Sequence, residues 1–210
     1  MAGTSDDEVE RLKTWLSQNG SYIFYAVLLG LAVAFGIRFW TRHLETTRLA
    51  AASIYDDTSG WYAQGKIGAV KVAVLKLEHQ YPSTPYAPLG ALLLAKISYL
   101  SGNLTQTVAQ LKWAARHTSQ PGIRAIARLR LSHVLVDEHH LAAALALVSP
   151  KAPAGFRAQY EELRGDILVK QGHTELARRA YEAALKHIHH GTQYSSILKM
   201  KLDDLPSGRA

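Results

Sequence analysis

Histidines and paired carboxylates are the residues of this chain that could do chemistry. Ten histidines invite a metal reading, with His139-His140 in a predicted turn and His187-x-His189-His190 at a predicted helix end. No His-Glu-x-x-His spacing occurs. Histidine near a helix C-terminus is favoured by the helix dipole and needs no metal to explain it. Asp56-Asp57, Glu161-Glu162 and Asp203-Asp204 are neighbours in sequence. On a helix such neighbours point about 100° apart and do not converge as an acid/base pair. Neither Gly-x-Ser-x-Gly nor a P-loop occurs, so a nucleophile elbow and a phosphate cradle of those kinds are excluded. Cysteine is absent, which removes disulfides, thiol nucleophiles and thiolate metal sites. The expectation is a chain that is not an enzyme, holds no metal and needs no cofactor.

The elements that would position any binding residues are helical. After Trp40, apolar residues recur at helical spacing, and strand-like alternation is hard to find. The pattern predicts helices over 44–64, 67–81, 86–101, 104–117, 121–137, 140–148, 156–171, 174–189 and 193–205. Gly65, Gly102, Glu138 and Gly172 stand near the turns of successive helix pairs, at intervals of about 34 to 37 residues. Two helices per period of that length is the pattern of tetratricopeptide repeats, so about four hairpins are expected, closed by a capping helix.

Small residues should mark the helix crossings. In the last unit Gly165 lies on the first helix, Ala177 and Ala184 lie on the second, and Tyr181 fills the neighbouring hole. Gly172 supplies the left-handed turn between them. Aligned on Gly102, Ala95 and Ala114 match the small positions; aligned on Glu138, Ala143 matches while Leu131 stands where a small residue belongs. The stripe Tyr194, Ile197, Leu198, Leu202 and Leu205 predicts the final cap, and 206–210 is expected to be a disordered tail.

In such repeats the first helix of each pair lines a binding groove. Carried onto this chain, that position pattern selects Tyr55 and Tyr62 in the first hairpin and Lys96 and Tyr99 in the second. It selects Arg128 in the third, and Glu162, Asp166 and Lys170 in the fourth. Tyrosine and arginine are frequent binding anchors.

Residues 21–37 carry no charge and are closed by Arg38-Phe39-Trp40. At about 1.5 Å per residue this run with its flanks spans a bilayer, so 21–40 reads as a transmembrane helix after a short segment, 1–20. A cleaved signal fits less well. The head Asp6-Asp7-Glu8-Val9-Glu10-Arg11 is largely acidic, and Ala32-Val33-Ala34, which resembles a cleavage site, lies inside the apolar run. Gly30 and Ala34 are small residues one turn apart, a spacing that permits close helix contact in the membrane. Arg11 and Lys13 flank one end of the run; Arg38, Arg42 and Arg48 flank the other. Charge alone leans slightly towards a cytoplasmic C-terminal domain. The net charge of +7 admits anionic lipid or acidic partners. Basic residues scattered among Glu and Asp, without a basic run, exclude nucleic acid as the expected partner.

The polar head, the membrane helix ending in Arg-Phe-Trp, Leu163-Arg-Gly-Asp-Ile-Leu, Ala-Arg-Arg-Ala-Tyr-Glu-Ala and the closing Leu198-Lys-Met-Lys-Leu-Asp-Asp-Leu205 together resemble the ancillary SecYEG translocon subunit family along nearly the whole chain. The resemblance implies a single-pass inner-membrane protein of Gram-negative type. Its residues 1–20 would be cytoplasmic and its repeat domain, 41–205, periplasmic. Implied partners are the SecYEG translocon, a membrane-anchored periplasmic prolyl-isomerase-like chaperone and unfolded secreted proteins. No catalytic residues come with the family. Rival readings are a membrane-tethered scaffold for envelope assembly or cell division, a regulator that sequesters a factor at the cytoplasmic face, and an enzyme with a cryptic site in the groove.

Overall fold

A computed structural model describes residues 4–148, 152–188 and 191–206; for residues 4–9, 12, 16–18, 20, 23, 26 and 27 it describes the backbone only. Every element among the described residues is helical: α1 (Thr4–Ala63), α2 (Ile67–Gln80), α3 (Tyr86–Leu100), α4 (Leu104–His117), α5 (Pro121–Asp137), α6 (Leu141–Leu147), α7 (Arg157–Lys170), α8 (Thr174–Leu185) and α9 (Gln193–Asp203), with one 3-10 turn at Ala154–Phe156. Contacts divide the chain into two compact units between Leu49 and Ala50.

The first unit is helical from Thr4 onward. The sequence from Arg38 to Arg48 contains neither glycine nor proline, and its threonines turn back on the helix: Thr41 donates to Arg38 O, and Thr46 and Thr47 to His43 O. Phe24, Leu28, Leu29, Phe35, Ile37 and Trp40 are exposed. Among the described residues no helix is long and apolar enough to cross a membrane. The side chains of Ile23, Ala26 and Val27, part of the expected span, lie outside the described ones.

The second unit is built of α-hairpins: the end of α1 with α2, joined through Ala51, Trp61 and Tyr62 to Val70, Val74 and Leu77, then α3 with α4, α5 with α6, and α7 with α8, followed by α9. Each first helix stops in the same way. Residues with positive φ stand at Gly65, Gly102, His139 and Gly172. The next amide reaches back five residues in every case, Lys66 to Trp61 O, Asn103 to Ser98 O, His140 to Leu135 O and His173 to Leu168 O. This is the Schellman arrangement, which satisfies the last carbonyls of a helix. At the third turn the left-handed residue is His139, not Glu138. The sequence offers no glycine there, so a histidine takes a conformation that L-residues adopt at a cost.

That one-residue shift changes the packing register of the third hairpin. Counting seven residues back from each left-handed position selects Thr58, Ala95, Ser132 and Gly165, all buried. Counting five forward selects Val70, Thr107, Ala144 and Ala177, each at most 1% exposed. Ala143, the expected packing residue, is exposed: one position on a helix is a turn of about 100°, and Ala144 takes the buried place. The hydroxyls in this layer are satisfied. Thr58 donates to Ile54 O at 2.6 Å, Thr107 to Asn103 O at 2.8 Å, and Ser132 to Ala144 O at 3.0 Å, which ties α5 to α6.

From α3 onward, three apolar clusters follow in series among the described residues. Ala91, Ala95, Leu111, Ala114, Ala127 and Leu131 join α3, α4 and α5. Ala125, Ala144, Tyr160, Leu163 and Ile167 join α5, α6 and α7. Leu168, Ala177, Tyr181, Ala184, Leu198 and Leu205 join α7, α8 and the final segment. Leu198 and Leu205 thus cover the apolar edge of the last hairpin, with Tyr194 and Leu202 beside them; Ile197 faces outward instead. α8 ends at Leu185, four residues before the expected limit, in turns that run to Ile188. Residues 207–210 of the expected tail lie outside the described residues, while the Pro206 carbonyl accepts from Arg178 at 3.4 Å.

Candidate functional site

Two places bring polar side chains of the first helices together. The first is a cleft of about 360 Å³ between α3 and α5, floored by α4. Its apolar lining comes from Ala95, Leu111 and Val134. Lys96 and Tyr99 rise on the α3 side, and Arg130, His133 and Asp137 on the α5 side. The Tyr99 hydroxyl donates to Asp137 Oδ2 at 3.3 Å and bridges the two walls. Lys96 Nζ stands 5.4 Å from the ring centroid of Tyr62, a cation–π contact between the first two hairpins.

The second place is the last hairpin, and α9 fills it. Lys201 Nζ donates to Glu162 Oε1 and to both carboxylate oxygens of Asp166, each at 2.8 Å. The Tyr194 hydroxyl donates to Glu162 Oε2 at 2.7 Å, and the Tyr181 hydroxyl donates to Asp166 Oδ1 at 2.8 Å. Burial, followed by hydrogen bonding to these carboxylates, pushes both tyrosines well above the usual phenol range. Burial opposes the charge on Lys201, but the hydrogen bonds to Asp166 and Glu162 outweigh it, and its pKa is raised.

The expected groove residues therefore meet different fates. Lys96 and Tyr99 line the α3–α5 cleft, and Tyr62 supports Lys96 from the preceding hairpin. Tyr55 packs its ring against Tyr86 at 5.9 Å. Glu162 and Asp166 are engaged by α9 rather than presented to a partner. Lys170 is exposed at the end of α7. Arg128 is exposed but does not line the cleft; the charges there are Arg130 and His133. Counting from the true left-handed residue, His133 occupies the register of Lys96 and Asp166, six positions before the turn. Arg128 sits five residues earlier on the helix, on a different face. Recognising His139 as the turn would have selected His133 from sequence.

Of the expected packing residues, Ala95, Ala114, Gly165, Ala177, Tyr181 and Ala184 are buried, and Gly172 has φ of +79°. Gly30 and Ala34 are exposed, and a Cβ at Gly30 would meet nothing within 4 Å. Among the described residues no group of three or more His, Asp or Glu side chains could hold a metal ion; His189 and His190 lie outside them.

The cleft thus sets charged and aromatic side chains over an apolar floor. The ancillary SecYEG translocon subunit of Escherichia coli (strain K12) is 28% identical, with 95% of this chain and 96% of the relative covered. The subunit of the same name from Haemophilus influenzae is 29% identical over 95% of this chain and 97% of its own length. That of Neisseria gonorrhoeae is 24% identical over 94% and 95%. The resemblance read from the Leu163-Arg-Gly segment and the closing helix is borne out. A tetratricopeptide repeat-like domain matches residues 13–207, and with its succession of helical hairpins the chain belongs to that family.

Proposed function

We propose that this chain is a single-pass inner-membrane protein that binds other polypeptides at the Sec translocon, with its repeat unit in the periplasm and no catalytic step of its own. The observation that carries the reading is coverage: relatives named as ancillary SecYEG translocon subunits align with about 95% of the chain, the uncharged run as well as the hairpins. The run over 21–37 and its exposed Phe24, Leu28, Leu29 and Phe35 support an anchor, since a row of large apolar side chains on one helix needs an apolar environment. Gly30 and Ala34 would then let that helix approach a neighbour in the bilayer.

Anchoring confines the α3–α5 cleft near the exit of the pore. Its effective concentration for an emerging chain rises, so weak and adaptable contacts suffice. Unfolded secreted proteins are the clients in this reading, and a membrane-anchored prolyl-isomerase-like chaperone is the companion that would take them onward. Cross-linking the full-length chain in native membranes, followed by identification of the linked proteins, tests the partners. Translocon subunits are expected, and their absence would overturn the reading. A C-terminal reporter active only outside the cytoplasm tests the orientation; activity of a cytoplasmic reporter instead would favour a regulator facing inward.

A further inference from the structure

We propose that the α3–α4–α5 cleft takes a short acidic peptide segment bearing one large apolar side chain. The inference deepens the reading of the repeat unit as a polypeptide binder and rests on it. Lys96 and Arg130 stand on opposite walls, with His133 one turn from Arg130 on α5. Among the described residues no carboxylate lies within ion-pair distance of any of the three. Asp137 supplies the single carboxylate of the lining, and its Oδ2 already accepts from Tyr99. Two fixed cations against one carboxylate leave the rim with surplus positive charge. The last hairpin differs: at the register of Lys96 and His133 it carries Asp166, and Lys201 neutralises that acid from within the chain. The cationic rim is therefore the part of this face whose charge is left for a partner.

Beneath the rim the lining is apolar, formed by Ala95, Leu111 and Val134. The volume, about 360 Å³, lies at the small end of ligand sites and suits one phenylalanine or leucine side chain with its flanking backbone. An acidic residue on each side of that anchor would reach Lys96 on one wall and Arg130 on the other. The complementarity gives selectivity and attraction at long range, and the apolar floor gives residence.

The test is fluorescence anisotropy with the purified full-length chain in neutral detergent and three labelled decapeptides: phenylalanine flanked by glutamates, the same peptide with lysines for glutamates, and the glutamate peptide with alanine for phenylalanine. The glutamate–phenylalanine peptide is expected to bind at least about tenfold more tightly than either control, and more weakly as salt is raised. Lys96→Glu/Arg130→Glu, whose sites are exposed, should lose that preference and gain the lysine peptide. Equal binding of the acidic and basic peptides to the wild-type chain would overturn the proposal. So would unchanged preference in the double variant, or a change confined to its oligomeric state. Translocon cross-linking is scored separately: its loss in wild type counts against the proposed function, and loss of peptide preference alone counts against the cleft.

Discussion

Tyr181 occupies the space that a side chain on Gly165 would need. A Cβ built on Gly165 would stand 2.4 Å from Cε1 and 2.6 Å from Cδ1 of the ring. The ring is held from its far end by the hydrogen bond of its hydroxyl to Asp166 at 2.8 Å, so it cannot swing away without losing that partner. α7 and α8 meet on this contact, and it couples the packing of the last hairpin to the charge cluster under α9.

Gly165→Ala is therefore expected to destabilise the second unit by about 1–3 kcal/mol, the range for overpacking a close-packed crossing. Gly165→Ala/Tyr181→Leu should recover part of the loss, because the shorter side chain vacates the clash. Thermal unfolding followed by circular dichroism measures both. Equal stability of Gly165→Ala and wild type would contradict the contact.

His139→Gly is expected to stabilise the fold. His139 has φ of 61°, where a β-carbon costs about 1–2 kcal/mol and glycine pays mainly in unfolded-chain entropy. A net gain of roughly 0.5–1 kcal/mol corresponds to a few degrees in Tm for a domain of this size. The companion Gly172→Ala, at φ of 79°, should move Tm the other way.

Alkaline pH should unfasten α9. The folded-state pKa values of Lys201, Tyr181 and Tyr194 are all raised above their ordinary values. The unfolded chain then binds fewer protons than the native one once pH passes about 10, so stability falls as pH rises from there. Lys201→Met should flatten that slope and cost about 1–2 kcal/mol at neutral pH, by leaving Glu162 and Asp166 close together without their cation. Urea midpoints between pH 8 and 11 report both effects.

Glu78 marks a second, weaker point. Its Oε1 and the Oε1 of Gln110 are buried without a hydrogen-bond partner. Burial raises the Glu78 pKa, against the lowering effects of Gln110, His79 and His117. A raised carboxyl pKa means the native chain binds the extra proton, so this site loses stability as pH rises through the folded value. Glu78→Gln removes the charge and adds a donor. It should stabilise by about 1 kcal/mol at pH 7 and by less at pH 4, where the native acid is already protonated. Chemical denaturation at the two pH values checks the sign.

Much of the architecture could be read directly from residue types. Helix limits in the hairpins were legible because apolar spacing and turn glycines are local signals; Gly65, Gly102 and Gly172 announce their own left-handed turns. The third turn reads one residue early because histidine carries no such signal, and that slip moves the expected packing residue from Ala144 to Ala143. Arg128, five residues before His133, comes from a different repeat position and does not line the cleft. A single position is a third of a turn, which is enough to exchange inside for outside.

The sequence alone determined that the chain is helical, that its hairpins recur at a steady interval and that residues 21–37 are uncharged, since periodicity and charge are properties of neighbours along the chain. Only the tertiary structure decided which acids are free. Glu162 and Asp166 have the same composition and helical setting as open groove residues, yet Lys201 and Tyr194, more than 30 residues away, close over them. Among the described residues, Lys96 and Arg130 meet no such partner. Whether a charge is neutralised depends on what the fold brings within about 4 Å of it, and that distance is set by packing between helices rather than by spacing within one.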